Sequence, residues 1–263
     1  MLFAPYEREH YARAPLAEVI CQLSFPTILS IGATEPAAFQ EQVRHDFPRY
    51  AVRQDQLPPR VVKRGNAAAL EPQKPIPNYN FVSEDGRWKL NLTQNFIALS
   101  TVAYRRWEDF AVRLDKHLAQ FIQIYQPNYF ERIGLRYVNA VSRKALGLEG
   151  RLWDDLIQDQ YLGILNQPDV EESEVSKCSL DVETPLVGGC RMKLRTGPGL
   201  VGGGKADKEV RFVLDGDFSA AGQLKAESVP EKLEQLHRYA VCFFRGAITE
   251  ELRTALGPTP LPD

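Results

Sequence analysis

Sixteen residues, Tyr129 to Lys144 (YFERIGLRYVNAVSRK), constrain this chain more than any other stretch. Ile133, Leu135, Tyr137, Asn139 and Val141 fall on one parity, and Arg132, Gly134, Arg136, Val138 and Ala140 on the other. That is the two-residue period of a pleated strand. One face is apolar and belongs to a core, while the other sets two arginines on either side of a glycine. Glycine inside a strand marks a bulge, a bend or the close approach of another group, and most often it serves the sheet itself. Asn139 is the polar exception on the apolar face. A buried amide without partners costs about 1–3 kcal/mol, so Asn139 reads as a hydrogen-bond hub.

An amphipathic helical pattern ends just before this strand, and the order of elements begins again from it. In the first pass, Pro15 leads into LAEVICQLSF, where Ala17, Val19, Cys21, Leu23 and Phe25 form the buried parity. Glu35 to Phe47 reads as a short helix with Phe39, Val43 and Phe47 four apart. From Leu57 to Pro77 prolines recur around a single apolar run, Arg60 to Leu70, which predicts an edge strand and a long loop, the most mobile part of the chain. The segment from Asn78 to Tyr104 holds turns at Glu84–Gly86 and Gln94–Asn95, which divide it into a three-stranded meander. Arg106 to Tyr125 then carries Trp107, Phe110, Leu114, Leu118 and Phe121 as the stripe of one long helix, with His117 packing its ring beside that stripe.

The second pass opens with the strand around Gly134 and continues with a helix over Trp153 to Leu165. Strands at Val175–Pro185, Cys190–Thr196 and Lys208–Phe218 follow, then one long helix from Pro230 to Leu256, ended by Gly257 and Pro258. Both passes share the order strand, short helix, antiparallel meander, long helix. The fold class is therefore α+β, with related halves at residues 1–127 and 128–263 forming one compact unit. This internal structural repeat is one of element order rather than of residues. A single curved antiparallel sheet backed by two long helices follows from it, a layout that resembles the saddle of the TATA-binding protein and other helix-on-sheet clamps. Such a likeness of topology carries no function with it.

Composition narrows the classes of function. A chain of 263 residues buries enough apolar surface to fold without metal or disulfide support. Its 32 basic and 34 acidic side chains leave a net charge of −2, which provides no global attraction for nucleic acid or an anionic membrane. No run approaches a membrane span and no basic leader opens the chain, which points to a cytoplasmic protein. The four cysteines form no CxxC pair and the four histidines never approach finger spacing, so buried reduced thiols are expected and no metal or cofactor is implied.

Each motif with chemical potential has a plainer explanation. Gly199 to Lys205 (GLVGGGK) has phosphate-loop spacing, but Ala206 stands where a magnesium-binding hydroxyl belongs, and a strand pattern follows where a helix is required. The acidic groups at Glu171, Glu172 and Glu174, and at Asp207, Glu209, Asp215 and Asp217, suit solvated strand ends. No GxSxG elbow is present, and Cys242 sits among helix phenylalanines. Basic residues including Lys63, Arg64, Arg105, Arg106, Arg132, Arg136 and Arg143 form a nucleic-acid surface only if the fold gathers them, with Tyr79, Trp88 and Tyr104 as stacking partners.

Three stretches, APLAEVICQLSF, IGLRYVNAV and LHRYAVCFFRGAITEELRTALG, together resemble a sporadically distributed family of uncharacterised bacterial proteins. Its members share an apolar first strand after a proline, a GLRY followed by an asparagine, and a last helix with LH, F and ITEEL. The resemblance implies bacterial origin, one fold and a mobile-element or defence setting, and it assigns no activity or residue role. The resulting expectation is a non-catalytic binding or interaction protein, with Arg132, Arg136, Asn139 and Arg143 as the partner-binding residues. Its partner is an unknown protein or nucleic acid, and homo-oligomers fit as well. The alternatives are a nucleic-acid binder using the concave sheet face and a metal-dependent phosphoesterase built on the acidic groups.

Overall fold

A computed structural model describes residues 4–56, 58–64, 67–201 and 209–259, the side chains of residues 63, 64, 67 and 68 excepted. Its strands are β1 (His10–Tyr11), β2 (Leu16–Ser24), β3 (Arg49–Asp55), β4 (Arg60–Arg64), β5 (Ala67–Glu71), β6 (Ile76–Val82), β7 (Trp88–Leu92), β8 (Phe96–Thr101), β9 (Phe130–Val141), β10 (Leu180–Pro185), β11 (Cys190–Leu200), β12 (Val210–Leu224) and β13 (Pro258–Thr259). The α-helices are α1 (Leu29–Ala33), α2 (Ala37–Val43), α3 (Trp107–Tyr125), α4 (Arg143–Leu146), α5 (Trp153–Leu156), α6 (Val229–Ala247) and α7 (Glu250–Leu256).

Nine strands form one antiparallel sheet in the order β10-β11-β12-β9-β2-β8-β7-β6-β3. The first strand of each pass, β2 and β9, meet at its centre, with Cys21 opposite Leu135 and Leu23 opposite Ile133. From that junction each pass runs outward through its own later strands. Val19, Cys21, Leu23, Leu90, Leu135 and Phe218 point to the face on which α3 and α6 lie, and one continuous apolar core joins both passes. Phe25 packs on Phe121 of α3 at 4.9 Å between ring centroids, and Phe218 on Phe243 of α6 at 6.0 Å. Each long helix therefore buries its stripe on the sheet. Among the described residues no helix is long and apolar enough to cross a membrane.

Several boundaries depart from the sequence pattern. Arg49–Asp55 forms an outer strand where none is expected, and Arg60–Glu71 forms a separate hairpin of β4 and β5. Trp153–Leu165 is helical only to Leu156 and then turns as 3-10 segments, with Gly163 at φ 59°. The last helix breaks at Ile248, which is extended at φ −100° and ψ 148° and bridges Ile157. Thr249 restarts it, its Oγ1 accepting from the Leu252 amide at 3.2 Å. Glu250 pairs with Arg245 and Arg253, so the ITEEL motif is here a cap and its ion pairs. The cysteines are all free, with Cys21, Cys190 and Cys242 buried and Cys178 partly so.

Candidate functional site

Behind the centre of the sheet lies a cavity of about 140 Å³, and its lid is the N-terminal arm. That arm is fastened at several points. β1 pairs with β13, the Ala12 and Arg13 amides donate to Gly257 and Leu256 carbonyls at 3.0 Å, and Glu9 forms an ion pair with Arg253. Arg8 meets Glu108 on α3 at 2.5 Å, and the Ala140 amide donates to Pro15 at 2.7 Å before the chain enters β2. Burial raises the Tyr11 phenol, while its hydroxyl donates to Glu9 at 2.9 Å. The Arg253 guanidinium in turn lowers the Glu9 carboxyl. Hydrogen bonds and opposite charges thus fix the lid at both ends.

Tyr137 and Asn139 of β9 and His237 of α6 line this cavity, together with Tyr104, Trp107 and Phe243. Tyr137 Oη and His237 Nδ1 are 2.8 Å apart, and both residues are buried. Tyr104 meets the Tyr137 ring edge-on, with centroids 5.8 Å apart. Burial pushes the Tyr104 phenol up to about 12 and Tyr137 well above its ordinary range. It also drives the His237 imidazole down to about 3, with Arg8 acting in the same direction, so the ring is neutral. Trp107 stacks on that ring at 4.5 Å with planes 8° apart, and its indole nitrogen donates to Glu234 at 2.7 Å. The Nε2 of His237 has no hydrogen-bond partner among the described residues.

Four residues singled out by sequence do not converge. Arg132 and Arg136 occupy the face of β9 away from the helices, and each is held by a carboxylate of β12. Arg132 Nη2 reaches both Asp217 oxygens at 2.7 and 2.8 Å, and Arg136 forms a fork with Asp215 at 2.7 and 2.6 Å. A side chain on Gly134 would start 2.1 Å from the Arg132 guanidinium, so this glycine makes room for Arg132 to lie along the strand. Asn139 is on the opposite face, where its amide donates to Leu214 at 3.4 Å and it lines the cavity. Arg143 starts α4, pairs with Glu172 at 2.6 Å and stacks 4.0 Å over Trp153.

Nor do the other groups gather. Tyr79 and Trp88 belong to the helix-facing side of the sheet, with Trp88 stacked on Phe110. His117 packs edge-on against Phe47 at 4.9 Å and accepts or donates to Gln120 at 2.9 Å. Its Nε2 lies 3.2 Å from Asp46 in a poorly aligned contact, and burial lowers the ring's pKa. Glu209 binds the Ser142 hydroxyl at 2.6 Å and pairs with Arg211. Among the described residues no three histidine, cysteine or acidic side chains group as a metal set. Residues 202–208, which include the second half of the glycine loop, Ala206 and Asp207, lie outside the described residues, as do the side chains of Lys63 and Arg64.

Sequence reasoning names Tyr104 only as a stacking partner for nucleic acid and assigns no role to Trp107, Tyr137 or His237. One signal was available for the histidine: Leu233, His237, Ala240 and Phe244 share a helical stripe, so His237 interrupts an apolar face as Asn139 does on its strand. The GLRY tyrosine and the asparagine two residues on meet the LH histidine, 100 residues after that tyrosine, around one cavity. No family model matches the chain, and no curated protein matches it significantly.

Proposed function

We propose that this protein is a non-catalytic binding protein whose ligand seat is the cavity under the N-terminal arm. The observation that carries this reading is His237, a buried imidazole with an unpartnered nitrogen beside a cavity lined by both aromatic and charged side chains. A buried polar atom without a partner costs about 1–3 kcal/mol. The nitrogen is fully covered, so a ligand with one hydrogen-bonding group removes that cost when the His237 ring turns to meet it. The volume of about 140 Å³ is close to that of an engineered apolar cavity that accepts benzene. The ligand is accordingly a single ring or a short chain with one polar substituent.

Binding without turnover is favoured by the lining, which contains no serine, threonine, cysteine or lysine. Of its two histidines, His237 stays neutral far below neutral pH, which makes it a poor proton acceptor in a reaction, and His10 meets the Thr259 hydroxyl at 3.2 Å. The nucleic-acid alternative has less support, because Arg132 and Arg136 are each committed to a carboxylate. A phosphoesterase has less support for the same reason viewed from the other side: Asp215 and Asp217 are neutralised by those arginines.

The test is a panel of monocyclic phenols, acids and amides, read by melting temperature and by fluorescence of the cavity tryptophan. At least one chemical class raises the melting temperature of the wild-type protein. Ala240→Phe, which fills the cavity from α6, abolishes that response while the protein remains folded. A wild-type protein indifferent to every probe in both readouts sinks the reading.

A further inference from the structure

The two edges of the nine-stranded sheet differ in a way that selects a partner. At one edge β10 carries Asp181 and Glu183 on the face away from the helices, paired to Arg195 and Arg191 of its neighbour β11. If two copies of β10 paired about Val182, Asp181 would oppose Glu183, and like charges facing one another across strands are destabilising. Pro185 further shortens the hydrogen-bonding edge. This edge is protected against its own kind.

At the other edge β3 (RYAVRQD) lacks such protection. Among the described residues its only strand neighbour is β6, and residues 49–54 are exposed. Seven residues without proline or glycine leave a row of backbone donors and acceptors available for another strand. Two apolar side chains stand at this border, Tyr50 at 39% exposure and Val52 at 41%. Arg49 and Arg53 form no ion pair among the described residues, and Asp55 accepts from the Asn78 amide at 2.6 Å.

We infer that β3 is a docking edge for a second copy of this chain, paired antiparallel about a two-fold axis at Val52. Every register centred on a residue keeps helix-facing residues opposite helix-facing ones, and the three that pair most of the strand are centred on Ala51, Val52 or Arg53. Centring on Ala51 sets Arg49 against Arg53, and centring on Arg53 sets that arginine against itself. Only the register at Val52 sets Arg49 opposite Asp55, twice by symmetry, with Val52 on Val52 and Tyr50 on Gln54. The same surface patch then serves both copies, as closed two-fold assemblies require.

A second observation agrees. The β4–β5 hairpin leaves the Asp55 end of this strand and returns at Ile76, belonging to no larger sheet. Val61 and Leu70 are cross-strand partners in it, exposed at 66% and 70%. A lone two-stranded hairpin is marginally stable in water and needs a surface to lie on. In the proposed dimer the hairpin of one copy emerges beside the Arg49 end of the other, which enlarges the interface beyond the paired strands.

The experiment is light scattering on the eluting full chain, with charge-exchange variants. Wild type elutes with twice the 29.7 kDa mass of one chain. Arg49→Glu and Asp55→Arg are each monomeric, since each creates two like-charge oppositions. The double exchange, Arg49→Glu with Asp55→Arg, restores the dimer. Val52→Lys, which sets two ammonium groups on the axis without touching the core, is monomeric and retains the wild-type circular dichroism spectrum. A monomeric wild type, a dimer that survives Val52→Lys, or a double exchange that stays monomeric while folded overturns the inference.

Discussion

The two faces of β9 hold together by different physics. Toward the helices, Tyr137 meets His237 in a buried contact in which neither group carries charge. Toward the open side, Arg132 and Arg136 are gripped by Asp217 and Asp215 in pairs that solvent partly reaches. Neighbouring residues of one strand, Arg136 and Tyr137, therefore belong to different energetic regimes. The buried contact is costly to leave half-made. The exposed pairs are screened and individually weak. Strong charge on the page is a poor guide to where the stability of this strand resides.

Acid should produce the largest separation between the faces. Above pH 6.5 His237 is neutral both folded and unfolded and has no effect on stability. Below that value the unfolded chain takes up a proton that the folded ring refuses until about pH 3. Stability therefore falls with falling pH through this window, by roughly 1.4 kcal/mol per unit and on the order of 5 kcal/mol in all. His117, also lowered by burial, adds a contribution of the same sign. Urea midpoints from pH 7.5 to pH 4 give the slope, and His237→Gln flattens it; equal slopes in the two proteins would break the comparison.

Tyr137→Phe removes the partner of His237 Nδ1 and is expected to cost about 1–3 kcal/mol in urea unfolding. A cost no larger than that of the surface variants below would erase the distinction between the faces. Two glycines sharpen it further. On Gly216 a new Cβ would lie 2.8 Å from the Phe218 ring and 3.4 Å from Leu194, inside packed core, so Gly216→Ala should cost about 1–3 kcal/mol by overpacking. Gly134→Ala displaces only a guanidinium, and its cost should stay below about 1 kcal/mol. Reversal of that ranking in thermal melts would place the strain on the open face.

Smallest of all is the effect of Arg136→Ala. Its side chain is 45% exposed, so screening discounts the fork with Asp215 to roughly 0.2–1 kcal/mol. Near 1 M salt, where the screening length is about 3 Å, the difference from wild type should vanish. Denaturation at low and high salt checks this, and a loss that salt leaves unchanged would give the open face a tighter role than its exposure suggests.

Where a residue's partner lies close by in sequence or its period is strong, the fold was legible from the chain alone. The alternation of Ile133, Leu135, Tyr137 and Val141, the meander to Thr101 and the stripe of α3 all stand as read. β3 escaped because an outer strand meets the core along one border only, so Arg49, Arg53 and Asp55 obscure its alternation. The break at Ile248 escaped because the apolar period continues across it; Thr249 was its one visible signal. Asn139 stands out in sequence, yet its neighbours in the cavity do not. Tyr137 and His237 are separated by 100 residues, and only the crossing of α6 behind β9 makes them a pair.

The central junction of the sheet also sets an order of events during synthesis. β2 finds β8 within the first pass, but its other border needs β9, whose partner residues Arg132 to Asn139 emerge more than a hundred positions later. Until then the apolar strand carrying Val19, Cys21 and Leu23 has one row of backbone groups unpaired. β9 waits in turn for β12, which ends at Leu224. Pairings this distant in sequence are slow to form and leave edges open to wrong partners in the meantime. A nascent chain halted between residues 105 and 130 should therefore be the species most avidly held by chaperones, and release should coincide with emergence of the GLRY strand.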